Sequence, residues 1–275
     1  PDADSGVNVV PGLAEPEGIH AFPRGAAAGV FWHAILEDAL TLPALSAMAR
    51  DEALRRIVSA RMQEHAIAED WQPVVEATLV RLLDTPLDAA GARLGHLEAA
   101  RAEMEFLYPV AALAPADFLA LPEVPAPYRA ALAQLGFAPL SGYLKGFVDL
   151  IYRHDGRYYV LDYKTNWLGP DDSAYTAARM QQAIAGAHYY LQYWLYTLAL
   201  HRHLRACLPG YDYDRHVGGV RYLFLRGIAS PGAGVYAARP SRALVEALDA
   251  LMSGQRDARA GAPVLKQRGK QGGDA

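Results

Sequence analysis

GYLKGFVDLIYRHDGRYYVLDYKTNW, residues 142–167, places two runs rich in Val, Ile, Phe and Tyr on either side of His154-Asp155-Gly156-Arg157. Asp-Gly between alternating apolar runs is the strongest short-range signal for a two-residue type I′ hairpin, because both central residues must adopt positive φ. With Asp155 and Gly156 as the turn, the register follows by counting. His154 faces Arg157, Tyr152 faces Tyr159, Leu150 faces Leu161, and Asp149 faces Asp162. Lys164 lies two residues beyond Asp162, so the two share a face of their strand.

Directly opposed residues on an antiparallel pair have Cβ atoms about 4.5–5.5 Å apart, and like charges there are destabilising. Two carboxylates so placed, in strands apolar enough to be half buried, need either a shared proton or a cation between them. An oxygen-ligand ion such as Mg²⁺ or Mn²⁺ suits carboxylate and carbonyl oxygens. Lys164 points at the same spot, where an ammonium can orient a water or offset negative charge developing on a substrate. The plainer interpretation, two solvated aspartates on an exposed hairpin face, is outweighed by the facing register, the apolar flanks and the lysine. A metal-dependent hydrolytic site built on Asp149, Asp162 and Lys164 is the expectation.

These residues also carry a family resemblance. Asp149 followed by Asp162-Tyr163-Lys164 resembles the D…(D/E)xK core of the restriction-endonuclease-like PD-(D/E)xK nucleases. Gln192-Tyr193-Trp194-Leu195-Tyr196 resembles the Q-x-x-x-Y motif of the RecB branch of that superfamily. Phe22-Pro23-Arg24-Gly25, Phe31-Trp32-His33, Met104-Glu105-Phe106, Lys145-Gly146-Phe147, the run Leu161 to Gly169, Leu198-Ala199-Leu200-His201 and Tyr222-Leu223-Phe224-Leu225-Arg226-Gly227 are similar to RecB-type C-terminal nuclease domains in the same order. A D-x-K element alone is weak evidence, whereas the ordered set spans most of the chain from about residue 20 to 255.

The resemblance implies further roles. His33 beside aromatic residues would ordinarily be a core or surface histidine; the family makes it a metal ligand with Asp149, Asp162 and the backbone carbonyl of Tyr163. Gln192 and Tyr196 are implied to bind substrate by positioning the scissile phosphate or the adjacent nucleotide, and Glu105 to be an acidic group near the site. The implied cofactor is Mg²⁺, with Mn²⁺ as an alternative and Ca²⁺ as an inhibitory substitute. The implied activity is that of an Mg-dependent deoxyribonuclease, exonuclease and endonuclease by turns, in DNA recombination and double-strand-break repair. Its DNA would be single strands delivered by an attached helicase. Implied partners are the rest of a RecB-type helicase chain and RecC- and RecD-like subunits, in the cytoplasm.

The expected fold is α/β: a restriction-endonuclease-like central mixed sheet flanked by helices, with a helical N-terminal subregion that brings His33 to the hairpin. Residues 1–20 read as a linker, 21–255 as the nuclease domain and 256–275 as a disordered Gly-rich tail. Within the domain, about 29–103 form the helical subregion and about 104–255 the catalytic α/β core. Gly29 to Leu40 has helical character, and the Ala- and Leu-rich pattern from Pro43 to about Leu107 is also helical, with Met104 to Pro109 turning strand-like and opening the sheet. Residues 110–140, rich in proline, read as a loop or broken helix. A single helix from the Gly169-Pro170-Asp171-Asp172 start signal to about Leu204 would carry His188, Gln192 and Tyr196 on one stripe. Val220 to Leu225 and Gly234 to Ala237 read as strands, and Ser241 as the cap of a last amphipathic helix.

Totals narrow the function further. The chain has 275 residues of which 52% are hydrophobic, enough for a proper core, and it starts at Pro1, as expected of a domain cut from a longer protein. No apolar run approaches the roughly 18 residues that a membrane span needs. Cys207 is the single cysteine, which excludes a four-cysteine iron–sulfur cluster and a disulfide framework. There is no Gly-rich Walker loop and hence no nucleotide site in this stretch. The formal charge of −4 predicts weak grip on DNA phosphates, and the basic runs 153–157, 201–205 and 221–226 read as solvated faces. Two other functions compete: a catalytically silent DNA-binding or subunit-docking scaffold, and a metal-dependent hydrolase of a small phosphorylated substrate. The three charged residues together disfavour the first, and the missing phosphate loop disfavours the second.

Overall fold

In a computed structural model, residues 15–42, 46–97, 99–228 and 233–254 are described; the expected tail at 256–275 and most of the expected linker lie outside them. The hairpin forms as counted. Leu140–His154 (β2) and Arg157–Lys164 (β3) pair antiparallel through His154–Arg157, Tyr152–Tyr159 and Leu150–Leu161. Asp155 and Gly156 take φ of 48° and 72°, as a type I′ turn demands. The Tyr152 and Tyr159 rings stack at 4.9 Å across the ladder, a contact worth about 0.5–1.5 kcal/mol beyond its buried area.

Three more strands complete a five-stranded sheet in the order β1-β2-β3-β4-β5: Ala99–Leu113 (β1), Val217–Phe224 (β4) and Val235–Ala238 (β5). The β3–β4 pair is parallel and the others antiparallel, so the sheet is mixed. Helices cover both faces. Ala26–Leu40 (α1), Ala47–Glu64 (α2) and Gln72–Asp84 (α3) bury Phe31, Ile35, Val58, Leu79 and Leu83 with Leu150, Leu161 and Leu223 of the sheet. Beyond the short Pro115–Leu119 (α4), the opposite face is covered by Ala126–Ala133 (α5), Ala177–Gly186 (α6), Tyr189–Cys207 (α7) and Arg242–Met252 (α9). Their Tyr128, Ile184, Trp194, Leu198 and Leu248 pack on Val148, Val160 and Tyr222. Tyr213–His216 (α8) leads into β4, and Ser241 caps α9 by accepting the Leu244 N–H. No helix among the described residues is long and apolar enough to cross a membrane.

Several element boundaries differ from the expectation. The sheet opens at Ala99 rather than Met104, and β1 runs to Leu113 with α4 and α5 following it. Alternation of buried Met104, Phe106 and Tyr108 with exposed Glu105 and Leu107 is the strand period that an Ala-rich flank hides. The expected long helix is two, because His188 adopts a left-handed φ of 54° after Gly186-Ala187. His188 therefore caps α7 and leaves the stripe that Gln192 and Tyr196 keep. Ile19 and His20, at the end of the expected linker, are buried.

Two irregularities place the site. Met104 and Val148 face one core whereas Ala102 and Leu150 face the other, although residues two apart share a face of a regular strand. The ribbon turns over between the pairs Ala102–Leu150 and Met104–Val148, at Glu103 with φ 49° and at Asp149. Arg226, just past β4 and 1% exposed, donates to the carbonyls of Thr165, Ile19, Phe22 and Pro23 at 2.9, 2.6, 3.0 and 2.7 Å. Its five N–H groups in a fixed fork suit such a task, and they tie the chain entering α1 to the chain leaving β3.

Candidate active site

The β2–β3 ladder ends at Leu150–Leu161, so Asp149 and Asp162 are the first residues past it, where the two strands part. Asp149 Oδ2 accepts the Tyr163 backbone N–H at 3.0 Å and lies 3.5 Å from His33 Nδ1. His33 comes from α1, across the sheet, and its Nε2 meets the Tyr163 carbonyl at 3.1 Å. Asp162 is 1% exposed, and its Oδ2 lies 2.6 Å from Lys164 Nζ without a hydrogen bond of good angle. The structure thus brings His33, Asp149, Asp162, the Tyr163 carbonyl and Lys164 to one place.

Gln192 and Tyr196 reach the same site from α7, one turn apart. Lys164 Nζ donates to Gln192 Oε1 at 2.9 Å, and Gln192 Nε2 donates to the Tyr196 hydroxyl at 2.9 Å. Both side chains are thereby joined to the lysine. Tyr190, Tyr193, Trp194 and Tyr196 are buried, so this helix offers its aromatics to the core rather than to bases of a strand. Glu105 stands apart: it is exposed on β1 and pairs with Lys145 at 3.0 Å. The acidic residue of β1 whose charge reaches Asp149 is Glu103, at the turn-over of the ribbon. Sequence reasoning passed over it, since only the reversal of the strand face aims it there.

Burial and crowding set the electrostatics. Desolvation first, and the charge of Asp162 second, push the Asp149 carboxyl well above the usual carboxylate range. Burial pulls His33 below its ordinary value against the opposing pull of Asp162, which favours a neutral imidazole with a free lone pair. Tyr222 of β4, adjacent to Asp162 in the parallel ladder, is pushed up by burial and remains a donor.

The donor set suits a hard divalent ion. Buried Asp162 Oδ2 lacks a well-angled hydrogen bond, Asp149 stands next to it, and the Tyr163 carbonyl adds a neutral oxygen. Mg²⁺ is held by one or two carboxylates and fills its remaining positions with water. Among the described residues no three His, Cys, Asp or Glu side chains are gathered as a full metal cage, and the His33 imidazole as it stands is bonded to the carbonyl. Two carboxylates and a carbonyl form the oxygen core, with His33 behind it.

The basic runs are largely spent internally. Arg202 and Arg205 hold Asp249 at 2.5 and 3.0 Å, Arg221 donates to the Leu87 carbonyl at 3.0 Å, and Arg226 is the buried staple described above. Arg226 is the one charge inside the otherwise apolar run 222–228, which was the available sign that it is interior.

Mixed sheet, split hairpin and paired carboxylates with a lysine two residues on accord with the PD-(D/E)XK nuclease superfamily, and the chain belongs to it: the superfamily model matches residues 9–269. Over most of its length the chain is homologous to the C-terminal region of RecB. It is 41% identical over 241 residues to the RecBCD enzyme subunit RecB of Escherichia coli strain K12, covering 86% of this chain and 20% of that protein. It is 34% identical over 285 aligned residues to the same subunit of Mycolicibacterium smegmatis, covering 89% of this chain and 25% of that protein. The chain therefore spans about a fifth to a quarter of the length of these relatives.

Proposed function

We propose that this nuclease domain hydrolyses phosphodiester bonds of single-stranded DNA with a divalent cation, Mg²⁺ or Mn²⁺. The observation that carries the reading is the meeting of Asp149, Asp162 and Lys164 at the point where β2 leaves β3, with the Tyr163 carbonyl beside them. Asp149, Asp162 and that carbonyl would hold the divalent ion, which would supply Lewis-acid activation of the phosphoryl oxygen and of the attacking water. His33, whose pKa burial lowers, would offer an imidazole lone pair to the ion or to a proton on the α1 side of the site. Lys164, steadied by Asp162 and Gln192, presents its ammonium where charge builds up on the phosphate in the transition state.

With a formal charge of −4, and with many of its arginines engaged in internal pairs, the domain has little long-range attraction for phosphates. Weak grip supports a reading in which a strand is fed to it by a helicase elsewhere in the same polypeptide and by RecC- and RecD-like partners in a recombination and repair complex. The test is cleavage of labelled linear and circular single strands at low salt and high protein concentration, with Mg²⁺ or Mn²⁺ and an EDTA control. Cutting that needs the metal and disappears in Asp162→Ala and Lys164→Ala supports the reading. Metal binding without cleavage of any strand points to a hydrolase of small phosphorylated substrates or to a domain that cuts only inside its complex, and no metal binding at all points to the scaffold.

A further inference from the structure

Lys164 has three N–H donors; one is given to Gln192 Oε1 at 2.9 Å, while Asp162 Oδ2 lies 2.6 Å from Nζ as an ion pair without a well-angled hydrogen bond. The ammonium also lies 4.0 Å from the ring centre of Tyr189 and 5.0 Å from that of Tyr222. An aromatic face attracts a cation through its quadrupole and needs no N–H aimed at a lone pair. The charge is thus surrounded while a donor is left over. Another carboxylate in place of either ring would take that donor.

Tyr222 has a second task. Its hydroxyl donates to Gln192 Oε1 at 2.9 Å and lies 3.3 Å from the Tyr189 carbonyl. A carboxamide oxygen has two lone pairs; one receives Lys164 and the other Tyr222, while Nε2 is spent on Tyr196. Flipping the amide would set its NH₂ against the ammonium, which can only donate. With the lysine selecting the acceptor end, Tyr222 and Tyr196 anchor the Gln192 amide from either side. Tyr222 is fully buried and is the cross-strand neighbour of Asp162, so its reach is fixed by the sheet itself.

We propose that Tyr222 and Tyr189 are positioning residues for Lys164: Tyr222 anchors the Gln192 amide that receives the lysine, both rings flank the ammonium, and an N–H is left for an oxygen of the scissile phosphate. The phosphate in this statement rests on the nuclease reading above; the geometry of the lysine does not.

The chain has four lysines, Lys145, Lys164, Lys266 and Lys270, so NMR of protein labelled only in lysine isolates Lys164, assigned by its loss in Lys164→Ala. Its ε-methylene protons are expected shifted upfield by ring currents, and further than those of Lys145, whose Nζ lies 5.1 Å from the single ring of Phe147 against 4.0 and 5.0 Å from two rings for Lys164. The shift persists in Tyr189→Phe and shrinks in Tyr189→Leu. In the cleavage assay Tyr222→Phe, which keeps the ring and loses the hydroxyl, lowers kcat about tenfold with little change in KM. Tyr189→Leu falls as Tyr222→Phe does, and Tyr189→Phe, which keeps the ring, falls less. Unshifted Lys164 resonances overturn the proposal. So does full kcat in both Tyr222→Phe and Tyr189→Leu beside an inactive Lys164→Ala. If the wild-type protein cuts no strand, the nuclease reading fails separately, and the lysine spectrum still decides the cradle.

Discussion

Asp149→Asn should make the metal-free protein more stable while removing its cleavage. Asp149 has an 11% exposed side chain beside a 1% exposed Asp162, and desolvation with the charge of Asp162 raises its pKa. Two unit charges about 5 Å apart would repel by about 3 kcal/mol at an effective dielectric of about 20. Lys164, 2.6 Å from Asp162, cancels part of this, leaving about 1–2 kcal/mol for the substitution to recover. The asparagine oxygen can still accept the Tyr163 N–H that Asp149 Oδ2 accepts at 3.0 Å, so no backbone donor is orphaned.

The sign of the pH dependence follows from the raised pKa. Below the unfolded value, about 3.9 for an aspartate, the group is neutral in both states and costs nothing. As pH rises through the higher folded value, the folded state alone resists ionisation and stability is lost. Urea denaturation in EDTA at pH 5 and pH 7.5 reads the effect as the difference between variant and wild type, which cancels the other carboxylates. The gain from Asp149→Asn should grow toward neutral pH. Adding Mg²⁺ should then stabilise the wild type through linkage and the variant less. A variant that is less stable than wild type at pH 7.5 without metal, or a difference flat in pH, would refute the argument that these carboxylates strain the empty site.

Arg226→Met should cost about 3 kcal/mol in urea denaturation, because four carbonyls, those of Ile19 and Phe22 fully buried, lose donors worth about 1–3 kcal/mol each where buried while the guanidinium no longer has to be buried. Arg226→Lys should recover little, as three donors on a flexible stem do not match the fork; a loss under about 1 kcal/mol in Arg226→Met contradicts the staple. Gly219→Ala should cost at least about 2 kcal/mol, since Gly219 has φ 110° and an added Cβ would sit 2.5 Å from the Ala238 carbonyl oxygen. A thermal melt within a degree of wild type would rule that out.

What the sequence determined by itself was local and periodic. Asp155-Gly156 set the turn, the turn set the register, and the register put Asp149, Asp162 and Lys164 together without knowledge of any other element. The two-residue alternation of β3 and the Ser241 cap were legible for the same reason: both depend on neighbours within a few residues. His33, Gln192 and Tyr196 were legible only through family motifs, because nothing within α1 or α7 says which way those helices face across the sheet.

Tertiary structure decided the rest. Whether Glu103 or Glu105 approaches Asp149 depends on the turn-over of the β1–β2 ribbon, which arises from pairing two strands more than forty positions apart. That Gln192 serves the lysine, and that Tyr222 completes its setting, depends on β4 lying parallel beside β3 under α7. That Arg226 is a buried staple depends on residues 19–23 returning to it from some two hundred positions away. Contacts of this range leave no period in the chain, so a residue type alone marks them weakly: an arginine in an apolar run reads equally as a surface charge until the carbonyls that need it are in place.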